Sequence, residues 1–254
     1  MSSRSLRECL AKSKCLLGTI ISSGSPTIAE AAALTGVDWL FFDLEHSANS
    51  LETVQRQIQA VGGRALSMIR VAAPETIAVA QALDTGCSGI IVPQVNSAAT
   101  ARAVVAAGKY APLGRRSVGT ARAQGYGVDF ASYLETANAR TAILVQIESV
   151  EAVAAIDEIA AVPGVDGLFI GPNDLSSSMG IVGQLQHPDL LAAIQTVRGA
   201  ASKRRLPCGL FVGTNEAARA AVADFELLLI GSDIGRVIRS INDSIASLKD
   251  TTSK

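Results

Sequence analysis

The sequence predicts an α/β protein of the (β/α)8 TIM-barrel class, a single domain over residues 1–254. Three observations carry this. Eight short apolar runs recur along the chain, a segment of helical character follows each, and no break in composition divides them. The runs are continuously apolar instead of alternating, which suits parallel strands buried on both faces. Strand–helix alternation repeated eight times argues for a closed barrel over an open doubly wound sheet.

The first run covers 16–21. Arg4, Arg7, Lys12 and Lys14 precede it, but Gly18 breaks its apolar character, so it reads as a strand and not as a signal peptide. Ser25-Pro26 supplies an N-cap and a first-turn proline for the helix that follows. The second run, 39–44, begins at Trp39, expected in the core; Leu51, Val54, Ile58 and Val61 then fall at helical spacing. The third, 66–71, leads to a helix opened by Pro74 with Ile77, Ala80 and Leu83 on one face. The fourth is 89–92. After it, 110–140 is a long connection holding Pro112, Gly114, Arg115, Arg116, Gly119, Arg122, Gly125 and Gly127, either a functional loop or a flexible insertion. The fifth run, 142–147, precedes a helix capped by Ser149 with Val153, Ile156 and Ile159. The sixth is 167–170; His187, expected at the surface, and Pro188 then open a helix with Leu191, Ile194 and Val197. The seventh and eighth are 208–212 and 226–230. The last helix carries Ile234, Val237, Ile238, Ile241, Ile245 and Leu248, a stripe longer than one barrel helix needs; the excess reads as a subunit contact.

Composition narrows the partners. With 22 Lys and Arg against 23 Asp and Glu, no charge excess points to nucleic acid or an anionic membrane. No apolar run approaches the ~18 residues of a membrane span. Cys9, Cys15, Cys87 and Cys208 form no CxxC pair and match no zinc spacing, so they read as small hydrophobes in a reducing compartment. A cytoplasmic protein is the expectation.

Barrel enzymes work at the C-terminal ends of their strands. Here those ends read Asp43-Leu44-Glu45-His46, Arg70, Pro93-Gln94, Gln146-Ile147-Glu148, Gly171-Pro172-Asn173-Asp174-Leu175-Ser176, Val212-Gly213 and Gly231-Ser232-Asp233. Asp43, Glu45, Glu148 and Asp174 outnumber the nearby cations, mainly Arg70 and His46. A hard divalent cation with open positions for water and substrate resolves that excess. Zinc would prefer His or Cys, and His46 and His187 are the chain's two histidines. None of Lys12, Lys14, Lys109, Lys203, Lys249 and Lys254 falls at a strand end, which argues against Schiff-base chemistry. A glycine-rich dinucleotide fingerprint is also absent.

The runs Phe42-Asp43-Leu44-Glu45-His46, Leu144-Val145-Gln146-Ile147-Glu148 and Phe169 to Ser176 resemble the class II pyruvate (hydroxyketoacid) aldolases of the HpcH/HpaI family. Leu83-Asp84-Thr85-Gly86 and Pro112-Leu113-Gly114-Arg115-Arg116 also fit, and the likeness extends from about Leu16 to Ile238. The resemblance implies reversible cleavage of a 4-hydroxy-2-oxo acid to pyruvate and an aldehyde, through an enolate stabilised by Mg²⁺, Mn²⁺ or Co²⁺. Glu148 and Asp174 would be the metal ligands, with Gln146 supporting the metal-bound water or the substrate. The substrate carboxylate would meet the amides of Asn173 and Asp174, and Val212 would line the substrate pocket. Arg70 would face the keto oxygen. His46, oriented by Asp43, would accept the 4-hydroxyl proton, with Glu45 supporting from behind. The resemblance also implies a homo-hexamer, a trimer of dimers exchanging the last helix, in which Asp84 and the Arg116 loop reach a neighbouring site. Two departures concern the aldehyde side: Thr19 stands where members often carry Trp, and 121–127 is a variant loop.

Each residue also has a plainer explanation. Asp43 and Arg70 could be a structural ion pair, 171–174 a capped turn, Asp84 a helix-end cap, and Arg115-Arg116 a solvated turn or a distal carboxylate holder. Other functions are open on the same residues: a lyase of malyl- or citramalyl-CoA-type thioesters, an oxaloacetate decarboxylase, or a barrel that binds 2-oxo acids without turnover. The first would want a basic channel and extra C-terminal sequence, which this chain lacks; the last leaves the acid–base set around His46 unexplained.

Overall fold

In the computed structural model, which describes residues 5–252, the eight apolar runs form eight parallel strands. They are β1 (Leu16–Ile21), β2 (Trp39–Asp43), β3 (Leu66–Arg70), β4 (Gly89–Val92), β5 (Ala142–Ile147), β6 (Gly167–Ile170), β7 (Cys208–Val212) and β8 (Leu227–Ser232). Each pairs with its sequence neighbours and β8 closes on β1, giving a (β/α)8 barrel. Arg4 and Lys254 lie outside the described residues. The second and third strands each end one residue before the predicted boundary. The eighth starts one residue later than predicted and runs two further, to Ser232.

Both faces of the strands are apolar because two cores meet on them. Trp39, Phe41, Leu66, Met68, Ile91, Leu144, Phe169, Leu227 and Leu229 fill the barrel, while Leu40, Phe42, Ile69, Ile90, Val145 and Ile170 pack outward on the helices. Trp39, Phe41 and Phe169 form a mutual cluster with ring centroids 6.0–6.3 Å apart. The indole Nε1 donates to the Leu16 carbonyl at 3.2 Å, which satisfies its one polar atom. Gly18 makes room for the ring: a Cβ there would fall inside the indole.

The helices hold the larger corrections. Leu6–Leu10, absent from the sequence reading, is held by a Ser5–Glu8 capping box, and its Leu6 and Cys9 pack on the barrel interior. Within 110–140 lie a 3-10 turn at Arg122–Gly127 and a helix at Phe130–Arg140. That helix buries little but Ala137 and so shows no apolar stripe. The helix expected from Pro74 begins at Thr76 and buries Val79, Ala82 and Leu83, leaving Ile77 exposed. Pro188–Arg204 turns Leu190, Ala193, Ile194 and Val197 inward and leaves Leu191 outside, and His187 caps it by accepting the Asp189 amide. Helix Asp233–Thr252 exposes its whole stripe, Ile234, Val237, Ile238, Ile241, Ile245 and Leu248. Its start is pinned to the end of β1. The Asp233 carboxylate accepts from the Ser22 amide and hydroxyl and from the amides of Ser23 and Ile234. Among the described residues no helix is long and apolar enough to cross a membrane. All four cysteines are free; burial raises Cys87 to about 11 and Cys208 to about 12, so both are inert thiols at neutral pH.

Candidate active site

The C-terminal ends of the strands bring the predicted polar residues to one mouth. Asp43 and Arg70 end β2 and β3 and are register partners. Their side chains meet as a fork: Arg70 Nε donates to Asp43 Oδ1 at 2.9 Å and Nη2 to Oδ2 at 2.7 Å. Arg70 Nη1 lies 3.2 Å from Glu45 Oε2, and its guanidinium carbon sits 5.2 Å from the Phe41 ring centroid. Burial alone would raise the Asp43 carboxyl, but the Arg70 hydrogen bonds and charge bring it below the usual carboxylate range. Burial works against the charged guanidinium as well; Asp43, then Glu45 and Glu148, hold Arg70 above its ordinary value. Arg70 is therefore a fixed cation with a set direction.

Asp43 also forms an Asx turn. Its Oδ1 accepts the backbone amides of Glu45 at 3.0 Å and His46 at 3.3 Å. Asp43 thus meets His46 through the backbone amide and not through the ring. The His46 ring is 62% exposed, and the carboxylate nearest it is Glu45, Oε2 to Nε2 3.8 Å. Glu45 lies between Arg70, His46 and Gln94 and contacts all three.

On the opposite wall, Gln146 ends β5 on the inward face and Glu148 follows the strand. Glu148 Oε1 accepts the Gln94 amide at 2.6 Å, and Oε2 accepts from Gln146 Nε2. Burial pushes the Glu148 carboxyl up, and the charges of Glu45 and Asp174 add to this against the Gln146 and Gln94 hydrogen bonds. Gly171 lets β6 approach closely, since a Cβ there would stand 3.2 Å from Gln146 Nε2 and 3.4 Å from the Glu148 carboxylate. Asp174 and Asn173 are exposed in the first turn of helix Pro172–Ser178. Amides in a first helical turn have no acceptor within their helix. Val212 is buried at the end of β7.

Gln94, which sequence reasoning places at a strand end without a role, joins the two walls. Its amide holds Glu148, and its Nε2 donates to Glu45 Oε1 at 3.3 Å. Asp84 and Arg116 stand elsewhere. Arg116 Nη2 pairs with Asp84 Oδ1 at 2.6 Å, its carbon stacks 4.8 Å from the Tyr110 centroid, and its side chain is 1% exposed. Within this chain Arg116 is neither solvated nor free to hold a substrate carboxylate; it clamps the long connection to a helix end. Lys109 is buried at the opposite end of the barrel, on Asp166 and the carbonyls of Asn138 and Thr141.

The donors fit a hard divalent ion. Among the described residues no three or more His, Cys, Asp or Glu come together as a metal-holding group, so the fit rests on the oxygen donors of Gln146 and Glu148. The buried Gln146 Oε1 has no hydrogen-bond partner, and the desolvated Glu148 carboxylate faces Gln146 with like charges nearby. Carboxylate and amide oxygens are the donor type that hard cations such as Mg²⁺ or Mn²⁺ take.

A closed parallel barrel with its ionisable groups gathered at the strand C-termini has the layout of a barrel enzyme. The pattern of the HpcH/HpaI aldolase/citrate lyase family matches residues 17–240, and the chain belongs to that family of aldolases and lyases. A 2-dehydro-3,6-dideoxy-6-sulfogluconate aldolase of Pseudomonas putida is 37% identical over 238 residues, 92% of each chain. A hydroxypyruvate/pyruvate aldolase of Paraburkholderia phytofirmans is 34% identical, covering 96% of this chain and 97% of its own. A crystal structure of a family protein from Burkholderia cenocepacia superposes with TM-score 0.89 at 34% identity, covering 93% of this chain and 95% of that one.

Proposed function

We propose that the protein is a divalent-metal-dependent aldolase that reversibly cleaves a 4-hydroxy-2-oxo acid to pyruvate and an aldehyde. The observation that carries the reading is one mouth in which a desolvated carboxylate, Glu148, faces an arginine already fixed by Asp43. Glu148 and Asp174 would hold the cation, which supplies a Lewis acid for the 2-oxo group when bound. The amides of Asn173 and Asp174 receive the substrate carboxylate at a helix start. Val212 closes the apolar side of the pocket. Arg70 points its guanidinium at the 2-oxo oxygen, where negative charge develops, and its fork needs no reorganisation as that happens. His46, exposed at the rim, takes the proton from the 4-hydroxyl. The C3–C4 bond then breaks, its electron pair moves toward C2 and its oxygen, the aldehyde leaves, and a proton returned to C3 completes pyruvate.

The exposed stripe of helix Asp233–Thr252 supports a homo-hexamer, a trimer of dimers exchanging that helix. The four free thiols support a reducing, cytoplasmic setting.

The test is pyruvate release from a racemic 4-hydroxy-2-oxo acid, coupled to lactate dehydrogenase, after chelator stripping and refilling with Mg²⁺, Mn²⁺ or Co²⁺. Release should vanish on stripping and return with metal. Release indifferent to chelator, or turnover of a CoA thioester alone, would overturn the reading.

A further inference from the structure

Among the described residues, three that are not glycine adopt a left-handed backbone: Gln94 at φ 58, Tyr126 at φ 57 and Arg205 at φ 56. Tyr126 lies between Gly125 and Gly127 in a turn, and Arg205 ends a helix, where this conformation is common. Gln94 has no such reason. It leaves a strand, held between the buried Pro93 and Val95, in a conformation that residues with a Cβ rarely take. Strain of this kind persists where the surroundings over-determine it, and it clusters at functional sites. Its consequence here is specific: the amide turns onto Glu148 Oε1, 2.6 Å away, and the side-chain amide spans to Glu45 Oε1.

We infer that Gln94 is a positioning residue for the metal-binding carboxylate, acting through its left-handed backbone. The Gln94 amide and the Gln146 side chain hold one oxygen of Glu148 each, so the carboxylate cannot rotate and both oxygens keep a lone pair for the cation. Neighbours that orient ligands in this way set metal affinity. The Glu45 contact is secondary. The inference rests on the proposed metal site.

The test separates backbone from side chain. Gln94→Gly removes the amide side chain but keeps the N–H and tolerates the left-handed conformation. Gln94→Val keeps a side chain but disfavours that conformation, and Gln94→Ala does so more mildly. Mn²⁺ is titrated into chelator-treated full-length protein, and free Mn²⁺ is read by electron paramagnetic resonance. Thermal unfolding without metal verifies the fold, and Gln94→Ala replaces Gln94→Val if the latter does not fold. Gln94→Val should bind Mn²⁺ about 10- to 100-fold more weakly, the usual range for a residue supporting a ligand, while Gln94→Gly keeps wild-type affinity. Wild-type affinity in all variants would overturn the inference and leave the metal site standing. An equal loss in Gln94→Gly would show that the side chain acts and not the backbone, which also overturns it. A wild-type protein that binds no Mn²⁺ would remove the metal site itself, and this inference with it.

Discussion

Replacing Asp43 with Asn tests the arginine clamp most directly, because it keeps the shape and removes the charge. Asp43 Oδ1 accepts Arg70 Nε and two backbone amides, and an amide oxygen can retain those contacts. At Oδ2 the amide presents N–H to Arg70 Nη2, donor against donor, where a 2.7 Å charged hydrogen bond had been. Losing a charge-assisted bond costs ~1.5–3 kcal/mol. Removing one partner of a buried ion pair costs about 3–5 kcal/mol. Glu45 Oε2 still faces Arg70 Nη1, so the lower part of that combined range, about 2–3 kcal/mol, is expected. For a chain of this size that lowers Tm by roughly 4–12 °C. The loss has a pH signature. The Asp43 pKa is lowered in the folded protein, so its stabilisation is complete above the unfolded value and disappears as pH falls through the folded one. Urea unfolding at pH 7, 5 and 3 should therefore give a wild-type advantage that is constant at the first two and smaller at the third. Pyruvate release should fall about 100-fold as Arg70 loses its direction. A change in Tm under 1 °C at pH 7, or an advantage that grows on acidification, would refute the argument.

Glu148→Gln should abolish pyruvate release yet leave metal-free Tm at or above wild type: the folded carboxyl is raised, so its ionisation costs stability once pH exceeds the ordinary glutamate value, and Gln146 can turn its unpartnered Oε1 to accept the new N–H. Scanning calorimetry with and without Mg²⁺ measures this; the wild type alone should gain Tm from the metal. His46→Ala should lower kcat about 10²–10⁴-fold, the usual contribution of a general base, with Mn²⁺ affinity unchanged by titration. Gly18→Ala should destabilise by about 1–3 kcal/mol in urea unfolding, since its methyl would overlap a fully buried indole.

The barrel was legible because its strands are apolar on both faces, a pattern that survives without any tertiary information. The helices were legible only where burial writes a stripe. Leu51–Val61 buries Val54, Ile58 and Val61 as its spacing predicts, whereas Phe130–Arg140 lies on the surface and leaves no such trace. Leu6–Leu10 is too short for a period to show, although Ser5 and Glu8 stand at capping-box spacing and could have flagged it. In Pro188–Arg204 the apolar residues Leu190 and Leu191 are adjacent, and spacing alone does not say which faces inward.

The site divides along the same line. Strand ends locate Asp43, Arg70, Gln146 and Glu148 without knowledge of their partners, and the mouth holds all four. What a side chain does there depends on conformations that composition does not encode. Asp43 is three residues before His46, a spacing equally compatible with a carboxylate on the ring and a carboxylate on the amide; the turn selects the amide and leaves the ring to Glu45. Gln94 is an ordinary polar residue in the sequence, and only its left-handed backbone gives its amide a direction. The two walls of the mouth consequently differ in balance. On the β2–β3 side Arg70 is shared between Asp43 and Glu45, while on the β5–β6 side Glu148 has only neutral donors and the nearby charges of Glu45 and Asp174 oppose it. On the proposed reading, a cation placed against the second wall would offset that excess and leave Arg70 to meet the substrate, so that one mouth could gather these carboxylates and still receive an anionic 2-oxo acid.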